Sequence, residues 1–250
     1  MSAEWIGLAA LGLLLGSMPV FLVAGRGKTL DAEVAARPRT ALLGYWIRDW
    51  LMWVIGPLER MFLALGVPPV AFNWTGVVLG AAAGFAFARG AFTAGGWLVL
   101  LGGAADIFDG RIARARGIAS RAGAFLDSTL DRFAETFAYV GLVAYFRASW
   151  WEVLLVAVAM GGSLLVSYAR ARGESLGVVF KGGLMQRAER LVLLAVASLL
   201  DPAVSRAAGW PHGRLLLLTI AFIGVASLAT AFHRTVAIAR ALEREESPRG

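Results

Sequence analysis

Long apolar blocks separated by short charged connections dominate this sequence. A helix that crosses a bilayer needs about 20 predominantly apolar residues, so each block has roughly the length of one span. The hydrophobic fraction of 58% and the charged fraction of 16% fit this interpretation, since soluble domains carry about 25% charged residues. We therefore expect an all-α integral membrane protein. The blocks run over residues 5–24, 74–92, 95–113, 122–146, 150–170, 188–205 and 214–233.

The first apolar block could be a retained helix or a cleaved signal peptide. A signal peptide starts with a basic region and carries a shorter apolar stretch. Here Glu4 precedes the block, whereas Arg26 and Lys28 follow it. We therefore expect residues 1–39 to form an extra N-terminal transmembrane helix and a linker, with the N-terminus outside the cell.

Residues 40–66 mix aromatic and charged side chains instead of forming an apolar block. Trp46, Trp50 and Trp53 are interleaved with charged residues such as Asp49 at helical spacing. This pattern is typical of an amphipathic helix that lies in the membrane interface. A further membrane span is disfavoured, because charges interrupt the stretch.

The positive charges of the connections indicate how the remaining blocks cross the membrane. One basic cluster follows the third block, a second follows the fifth block, and a third lies in the tail. Cytoplasmic connections are enriched in Arg and Lys, so we expect these clusters on the cytoplasmic side of the inner membrane of the cell. Residues 67–235 then form a six-helix membrane domain. Residues 236–250 form a polar C-terminal tail, helical at first and ending in a disordered stub.

The composition also excludes several kinds of site. The chain contains no cysteine and only two histidines, His212 and His233. Disulfides and thiolate metal sites are therefore excluded, and a zinc site built from histidines is disfavoured. A net charge of +7 would suit nucleic acid. The basic residues flank apolar blocks, however, and no soluble basic domain is present, so we expect no nucleic-acid partner.

Four aspartates stand where two predicted helices meet a short basic connection. Asp106 and Asp109 lie three residues apart, and Asp127 and Asp131 lie four apart, so each pair shares one helix face. Ionisable groups at membrane depth are costly and usually functional. Oxygen ligands alone select hard cations, so we expect two divalent cations, Mg²⁺ or Mn²⁺, between the carboxylates. The alternative is a solvated network in which the aspartates pair with neighbouring arginines.

The residues from Asp106 to Asp131 follow the pattern D-x2-D-G-x2-A-R-x8-G-x3-D-x3-D. The pattern matches the signature of the CDP-alcohol phosphotransferase family at every fixed position, and the chain resembles this family over about residues 65–235. The resemblance implies a six-helix membrane fold, often dimeric, with a polar cavity open to the cytoplasm. It also implies an enzyme that transfers a phosphate-linked group from a CDP-linked donor to an alcohol.

The resemblance assigns roles to individual residues. The four aspartates would bind two metal ions, and Asp131 would also be the general base. Family members carry an Asn and a Thr separated by two residues at the first core helix, whereas Asn73 and Thr75 are separated by one. These two residues are candidate contacts for the cytidine, and a helix cap is the alternative role for Asn73. The CDP site would be lined by Gly110, Ala113, Arg114 and Gly123.

A second basic cluster bears on the alcohol acceptor. The runs S-Y-A-R-A-R-G-E at 167–174 and R-A-E-R at 187–190 resemble the phosphatidylinositol-phosphate synthase branch of the family. That branch implies transfer of the phosphatidyl group of CDP-diacylglycerol to a polyol phosphate, with inositol phosphate favoured and CMP released. Glycerol 3-phosphate and free inositol remain alternatives. The implied partners are these substrates, membrane lipids and a second copy of the chain. The candidate ligands of the acceptor phosphate are Arg170, Arg172, Arg187 and Arg190.

Two other classes of membrane protein also place acids near a membrane boundary. Prenyltransferases hold a diphosphate through aspartates and Mg²⁺, but they would need a different spacing and more helices. A transporter would use the acids as an ion path. Metal-dependent release of CMP separates the three classes, because a prenyltransferase releases diphosphate and a transporter releases neither product.

Overall fold

The computed structural model describes residues 3–24, 44–180 and 182–246. Within these ranges the chain forms eight α-helices and no strand, which confirms the predicted all-α class. The linker expected before residue 40 and the stub expected at the end of the tail lie largely outside the described residues. The helices are α1 Ala3–Ala24, α2 Tyr45–Ala64, α3 Pro69–Ala88, α4 Phe92–Ala115, α5 Arg121–Phe146, α6 Trp150–Ser175, α7 Arg187–Ala208 and α8 Arg214–Glu246.

Two helix boundaries differ from the apolar blocks that predicted them. α3 starts at Pro69 and not at residue 74, because Pro68 has extended backbone angles and Pro69 occupies the first turn, where proline needs no hydrogen-bond partner. α8 does not end with its apolar block at residue 233 but continues as one helix of 33 residues to Glu246. Polar residues in the last part of α8 therefore extend an apolar helix.

Most of the helices have the length and composition of membrane spans. Among the described residues, α1, α3, α6, α7 and α8 are long and apolar enough to cross a bilayer. α4 and α5 contain 24 and 26 residues, which is also sufficient length. These two helices carry the aspartates and arginines of the signature, and those charges reduce their apolar character. The predicted arrangement of an N-terminal helix, an amphipathic helix and a six-helix core is confirmed.

The surface of the bundle is apolar where lipid would surround it. Phe85, Val225 and Phe232 are 69%, 69% and 73% exposed on the outer faces of α3 and α8. A soluble protein rarely exposes such a large apolar surface, whereas a bilayer favours it. The chain is therefore an integral membrane protein.

The packing of α3 against its neighbours leaves a gap inside the bundle. α3 lies along both α4 and α5, whereas α4 and α5 barely contact each other. The close approach of α3 and α5 requires glycine, since a Cβ on Gly141 would overlap the backbone of Gly84. α7 packs against α4 and closes the gap from a third side. The gap between α4 and α5 is where the candidate site lies.

Candidate active site

A cavity lined by both apolar and polar side chains opens between α3, α4, α5 and α7. About 640 Å³ of its space is free of protein atoms, the open mouth included. Its deeper wall is apolar and includes Leu98, Val99 and Leu194. The polar side chains that line it are Asn73, Asp106, Asp109, Asp127, Asp131, Glu135, Tyr139, Arg187 and Arg190.

Three of the predicted aspartates converge at this cavity. One carboxylate oxygen from each of Asp106, Asp109 and Asp127 lies within 4.8 Å of the other two. The three-residue spacing places Asp106 and Asp109 on one face of α4, near its C-terminal end, and Asp127 lies in the second turn of α5. Asp109 is only 5% exposed. The two helices thus bring three carboxylates together although they have few other contacts.

Asn73 lies against two of these aspartates. With the amide oriented so that its oxygen and nitrogen both meet suitable partners, its nitrogen donates to Asp109 Oδ2 and, at 3.3 Å, to the carbonyl oxygen of Pro69. Its amide oxygen accepts a hydrogen bond from the backbone N–H of Asp127 at 3.3 Å. Asn73 is one turn inside α3, so the alternative role as a helix cap is wrong. Its contacts tie α3 to the acids of both α4 and α5.

The fourth aspartate, Asp131, is held by an arginine. Arg187, the first residue of α7, donates from Nη2 to Asp131 Oδ1 at 2.7 Å. The same guanidinium donates from Nη1 to Asp106 Oδ2 at 2.6 Å. Asp131 lies one turn beyond Asp127 on α5 and lines the same cavity. The Arg187 charge therefore offsets part of the repulsion among the four acids.

The converging aspartates suit a hard divalent cation. All three donors are carboxylate oxygens, which Mg²⁺ and Mn²⁺ prefer. Two oxygens on opposite sides of one Mg²⁺ lie about 4.2 Å apart, so the observed spread of 4.8 Å or less needs little adjustment. Asp106, Asp109 and Asp127 would hold such an ion, and Asp131 lines the same cavity as a fourth donor. The donor set of this cavity therefore fits a divalent cation, and the predicted count of two ions stays a prediction.

A buried ion pair lies deeper in the cavity, and sequence reasoning missed one of its members. Arg190 donates from Nε and Nη2 to the two carboxylate oxygens of Glu135, at 2.7 and 2.9 Å. The side chains are 1% and 6% exposed. Glu135 continues the four-residue spacing of Asp127 and Asp131 along α5, and that spacing was the available signal. Arg190 Nη1 is buried and has no hydrogen-bond partner in the described part of the chain.

The residues assigned to the CDP site lie beside the aspartates, toward the connection between α4 and α5. The missing side chain of Gly110 leaves room for the Arg114 guanidinium, since a Cβ there would lie 3.1 Å from Arg114 Nη1. Gly123 lies in the first turn of α5, and its N–H donates to Ser120 Oγ at 3.1 Å. Ala113 lies between Gly110 and Gly123 in the sequence, and it is half-buried. None of the four residues lines the cavity itself.

Thr75 does not reach the cavity. Its side chain is exposed, and its hydroxyl donates to the Ala71 carbonyl oxygen of its own helix at 2.8 Å. Asn73 and Thr75 are two residues apart, so they point to different sides of α3. In this structure only Asn73 of the two candidate cytidine contacts lines the cavity.

The four arginines assigned to the acceptor phosphate fall into two groups. Arg187 and Arg190 line the cavity, as described above. Arg170 and Arg172 lie on the exposed last turns of α6, outside the cavity lining. Arg170 donates to Glu174, one turn further along the helix, at 2.8 Å. The structure therefore brings two of the four arginines to the cavity, and of these two Arg187 binds the aspartates whereas Arg190 binds Glu135.

Comparison with known proteins identifies the family. The model of the CDP-alcohol phosphatidyltransferase family matches residues 67–232, which include the whole signature and the aspartate cavity. The chain belongs to this family and is a transferase, and the resemblance drawn from the motif is confirmed. α1 and α2 precede the matched residues.

Two similar proteins carry the same activity in their names. The phosphatidylinositol phosphate synthase of Cutibacterium acnes is 36% identical over 197 residues, which cover 76% of this chain and 94% of that protein. The phosphatidylinositol phosphate synthase of Streptomyces avermitilis is 34% identical over 226 residues, with coverages of 87% and 89%.

Solved structures with a similar fold include the phosphatidylinositol phosphate synthase of Mycobacterium tuberculosis. Its structure with CDP-DAG bound has a TM-score of 0.62 and 28% identity, and covers 73% of this chain and 92% of that one. Its complex with manganese and citrate has a TM-score of 0.64 at the same identity, with coverages of 73% and 88%. The manganese complex agrees with a divalent metal in this family.

Proposed function

We propose that this enzyme transfers the phosphatidyl group of CDP-diacylglycerol to a hydroxyl of inositol phosphate, with release of CMP. The observation that carries this proposal is the convergence of Asp106, Asp109 and Asp127 at the cavity, within the residues that match the family. The names of the similar proteins support inositol phosphate as the acceptor. The CDP-DAG complex of the mycobacterial protein supports the donor.

The reaction joins the acceptor oxygen to the phosphorus that carries diacylglycerol. The bond from that phosphorus to the bridging oxygen breaks, and CMP leaves with this oxygen. Two divalent cations, held by the four aspartates, would neutralise the diphosphate and the charge that develops on the leaving group. Gly110, Ala113, Arg114 and Gly123 lie beside the aspartates and would contact the CDP moiety, together with Asn73.

Asp131 would accept the proton of the acceptor hydroxyl. A hydroxyl is a weak nucleophile at neutral pH, and general-base assistance contributes about 10²–10⁴-fold to the rate. Asp131 is one turn further from the α4–α5 connection than Asp127 and lies between the aspartates and Glu135. Its contact with Arg187 supports a role toward an acceptor whose phosphate Arg187 would hold.

Arginines would hold the acceptor phosphate. The Arg187 guanidinium is bound to Asp106 and Asp131, and a cation that binds these carboxylates would release its N–H groups. Arg170 and Arg172 lie outside the cavity lining, so they would contact the phosphate only where it extends toward the end of α6. Arg190 is engaged by Glu135, so its remaining Nη1 is the group that could reach an acceptor. The phosphate contact would distinguish inositol phosphate from free inositol.

We also propose the inner membrane as the location, with the cavity open to the cytoplasm and a homodimer as the working unit. The basic residues of the α4–α5 and α6–α7 connections support the orientation. CDP-diacylglycerol would then reach the cavity from the cytoplasmic leaflet.

Release of CMP from CDP-diacylglycerol tests the proposed function. The purified chain in detergent should release CMP when inositol phosphate is supplied, and a chelator should abolish the release. Added Mg²⁺ or Mn²⁺ should restore it. The basic side chains among the described residues of the cavity are Arg187 and Arg190, and both are bound to acidic side chains, so a diphosphate needs metal ions to neutralise its charge. Release that persists in chelator would contradict the metal mechanism. Release with glycerol 3-phosphate alone would assign a different acceptor.

A further inference from the structure

Helix α2 precedes the residues that match the family, yet it packs against the helix that carries two of the site's aspartates. Arg111, two residues after Asp109, donates from Nε to Glu59 Oε2 of α2 at 2.7 Å. The two side chains are 17% and 13% exposed. An ion pair that is largely shielded from water is screened less than a surface pair. It can therefore fix the position of one helix relative to another.

A second arginine, Arg116 at the C-terminal end of α4, binds backbone carbonyl groups at the end of α2. Arg116 donates from Nη2 to the Leu63 carbonyl oxygen and from Nη1 to the Gly66 carbonyl oxygen, both at 3.3 Å. The last carbonyl groups of a helix have no partner within that helix. The Leu63 carbonyl oxygen accepts from the Gly66 N–H as well as from Arg116, and Gly66 lies just beyond the end of α2. Arg111 also lies 3.4 Å from the Met52 sulfur through Nη1. The cytoplasmic end of α4 is thus attached to α2 at several points along α2.

An aromatic cluster lies between these attachments and the aspartates. The ring centroids of Phe62 from α2, Phe72 from α3 and Phe108 from α4 lie 5.0–5.7 Å apart. Phe72 directly precedes Asn73, and Phe108 directly precedes Asp109. Closely packed rings cannot shift independently of their backbones. A displacement of α2 would therefore move the two residues that contact each other in the site.

Helix α1 holds α2 from the opposite side. Trp50 Nε1 donates to Ser17 Oγ of α1 at 2.9 Å. The Phe21 ring lies 6.4 Å from the Trp46 ring and 5.9 Å from the Trp53 ring, measured between centroids. α2 is therefore fixed between α1, a membrane helix, and α4, the helix that carries Asp106 and Asp109. A helix that is held on two sides is not a mobile surface helix.

We infer that α2 is a positioning element of the metal site and that Glu59 is its positioning residue, acting through Arg111. Metal sites lose affinity when their carboxylates are displaced by fractions of an ångström. The ion pair would hold the last turns of α4, so that Asp106 and Asp109 stay within reach of Asp127. This inference rests on the proposed function only in taking the aspartates as metal ligands.

Direct binding of Mn²⁺ tests the inference without a turnover assay. The full-length chain in detergent is titrated with Mn²⁺, and free Mn²⁺ is read by electron paramagnetic resonance. Glu59→Gln keeps the size of the side chain and removes its charge. We expect a Kd for Mn²⁺ about tenfold above wild type, the lower end of the loss seen when residues that support metal ligands are changed. The metal concentration for half-maximal CMP release should rise by the same factor, with the KM of the acceptor unchanged.

Further variants separate positioning from general stability. Arg111→Gln should raise the Kd at least as much as Glu59→Gln, since Arg111 also contacts Met52. The double variant should be no worse than Arg111→Gln, because both changes break the same ion pair. Glu59→Asp retains the charge but shortens the side chain, so its Kd should lie between those of wild type and Glu59→Gln. Glu152→Gln, in the first turn of α6, is the matched control and should bind Mn²⁺ like wild type.

A wild-type Kd for Glu59→Gln or Glu59→Asp would overturn the inference, even if thermal stability falls. Additive losses in the double variant would also overturn it, since the two residues would then act separately. If the chain fails to transfer from CDP-diacylglycerol but Glu59→Gln still weakens Mn²⁺ binding, the proposed function fails and the positioning role stands. If transfer is normal but Glu59→Gln binds Mn²⁺ like wild type, the positioning role fails and the proposed function stands.

Discussion

Arg190 and Glu135 form a two-pronged ion pair between α7 and α5, deeper in the cavity than the four aspartates. Both side chains are almost fully buried. The pair is neutral as a whole, so the carboxylate offsets part of the free-energy cost of burying an arginine inside a membrane bundle. The two arginines therefore have different partners. Glu135 holds Arg190, whereas the Arg187 guanidinium is bound to Asp106 and Asp131. We therefore expect Arg187→Ala and Arg190→Ala to have different effects, although both residues belong to one R-x-E-R run.

Arg190→Ala should mainly reduce stability. The change leaves the buried Glu135 carboxylate without its partner, which typically costs about 3–5 kcal/mol of folding free energy. Thermal unfolding in detergent measures the loss. Arg240→Ala, an exposed change in α8, is the control and should unfold close to wild type. Wild-type unfolding of Arg190→Ala would show that the pair contributes little to the fold.

Arg187→Ala should mainly weaken acceptor binding. A charge-assisted hydrogen bond contributes about 1.5–3 kcal/mol, so the KM of inositol phosphate should rise on the order of 10- to 100-fold, with a smaller change for CDP-diacylglycerol. The metal requirement should not rise, because the change removes a cation that competes for Asp106 and Asp131. Arg240→Ala, an exposed basic change in α8, is the control. An unchanged acceptor KM in Arg187→Ala would remove Arg187 from the phosphate site.

Asp131→Asn should separate chemistry from donor binding. The amide cannot accept the acceptor's proton, so transfer should fall by about 10²–10⁴-fold, while CDP-diacylglycerol binding persists. Asp106→Asn and Asp109→Asn should weaken metal-dependent donor binding as well. The measurements are CMP release and donor binding across a metal titration. Recovery of Asp131→Asn at high metal concentration would show that Asp131 only completes the metal shell.

The aspartate site was largely predictable from sequence, because its geometry is local. The spacings within 106–109 and 127–131 fix two helix faces, and a short connection forces these faces together. Extending the same face by one turn would also have found Glu135. The predicted start of α3 was wrong. Apolar content indicates which residues can lie in the membrane, but it does not indicate where the backbone becomes helical.

Contacts between distant segments were not predictable in the same way. Glu59 and Arg111 lie 52 positions apart, and no periodicity connects them. The same holds for Trp50 and Ser17, which are 33 positions apart. The exclusion of Arg170 from the cavity lining also depends on how α6 packs, since its charge alone suited the phosphate. Such contacts depend on tertiary packing, which one sequence does not encode in any short-range pattern.

Labelling of single cysteines tests the orientation of the bundle. The chain contains no cysteine, so Ile118→Cys and Ala148→Cys each introduce one thiol. Ile118 is exposed in the α4–α5 connection, and Ala148 is exposed at the other end of α5. In intact cells, a membrane-impermeant maleimide should label Ala148→Cys but not Ile118→Cys. The reverse pattern would place the aspartate cavity on the outer side of the membrane.

A competition between acceptors tests the central claim most directly. Purified enzyme, CDP-diacylglycerol and Mg²⁺ are incubated with equal concentrations of inositol phosphate, glycerol 3-phosphate and inositol, and the lipid products are resolved by mass. The product ratio equals the ratio of kcat/KM values for the competing acceptors. We expect phosphatidylinositol phosphate to be the dominant product in wild type and its formation to require metal. Dominant formation of phosphatidylglycerol phosphate or phosphatidylinositol would contradict inositol phosphate as the acceptor.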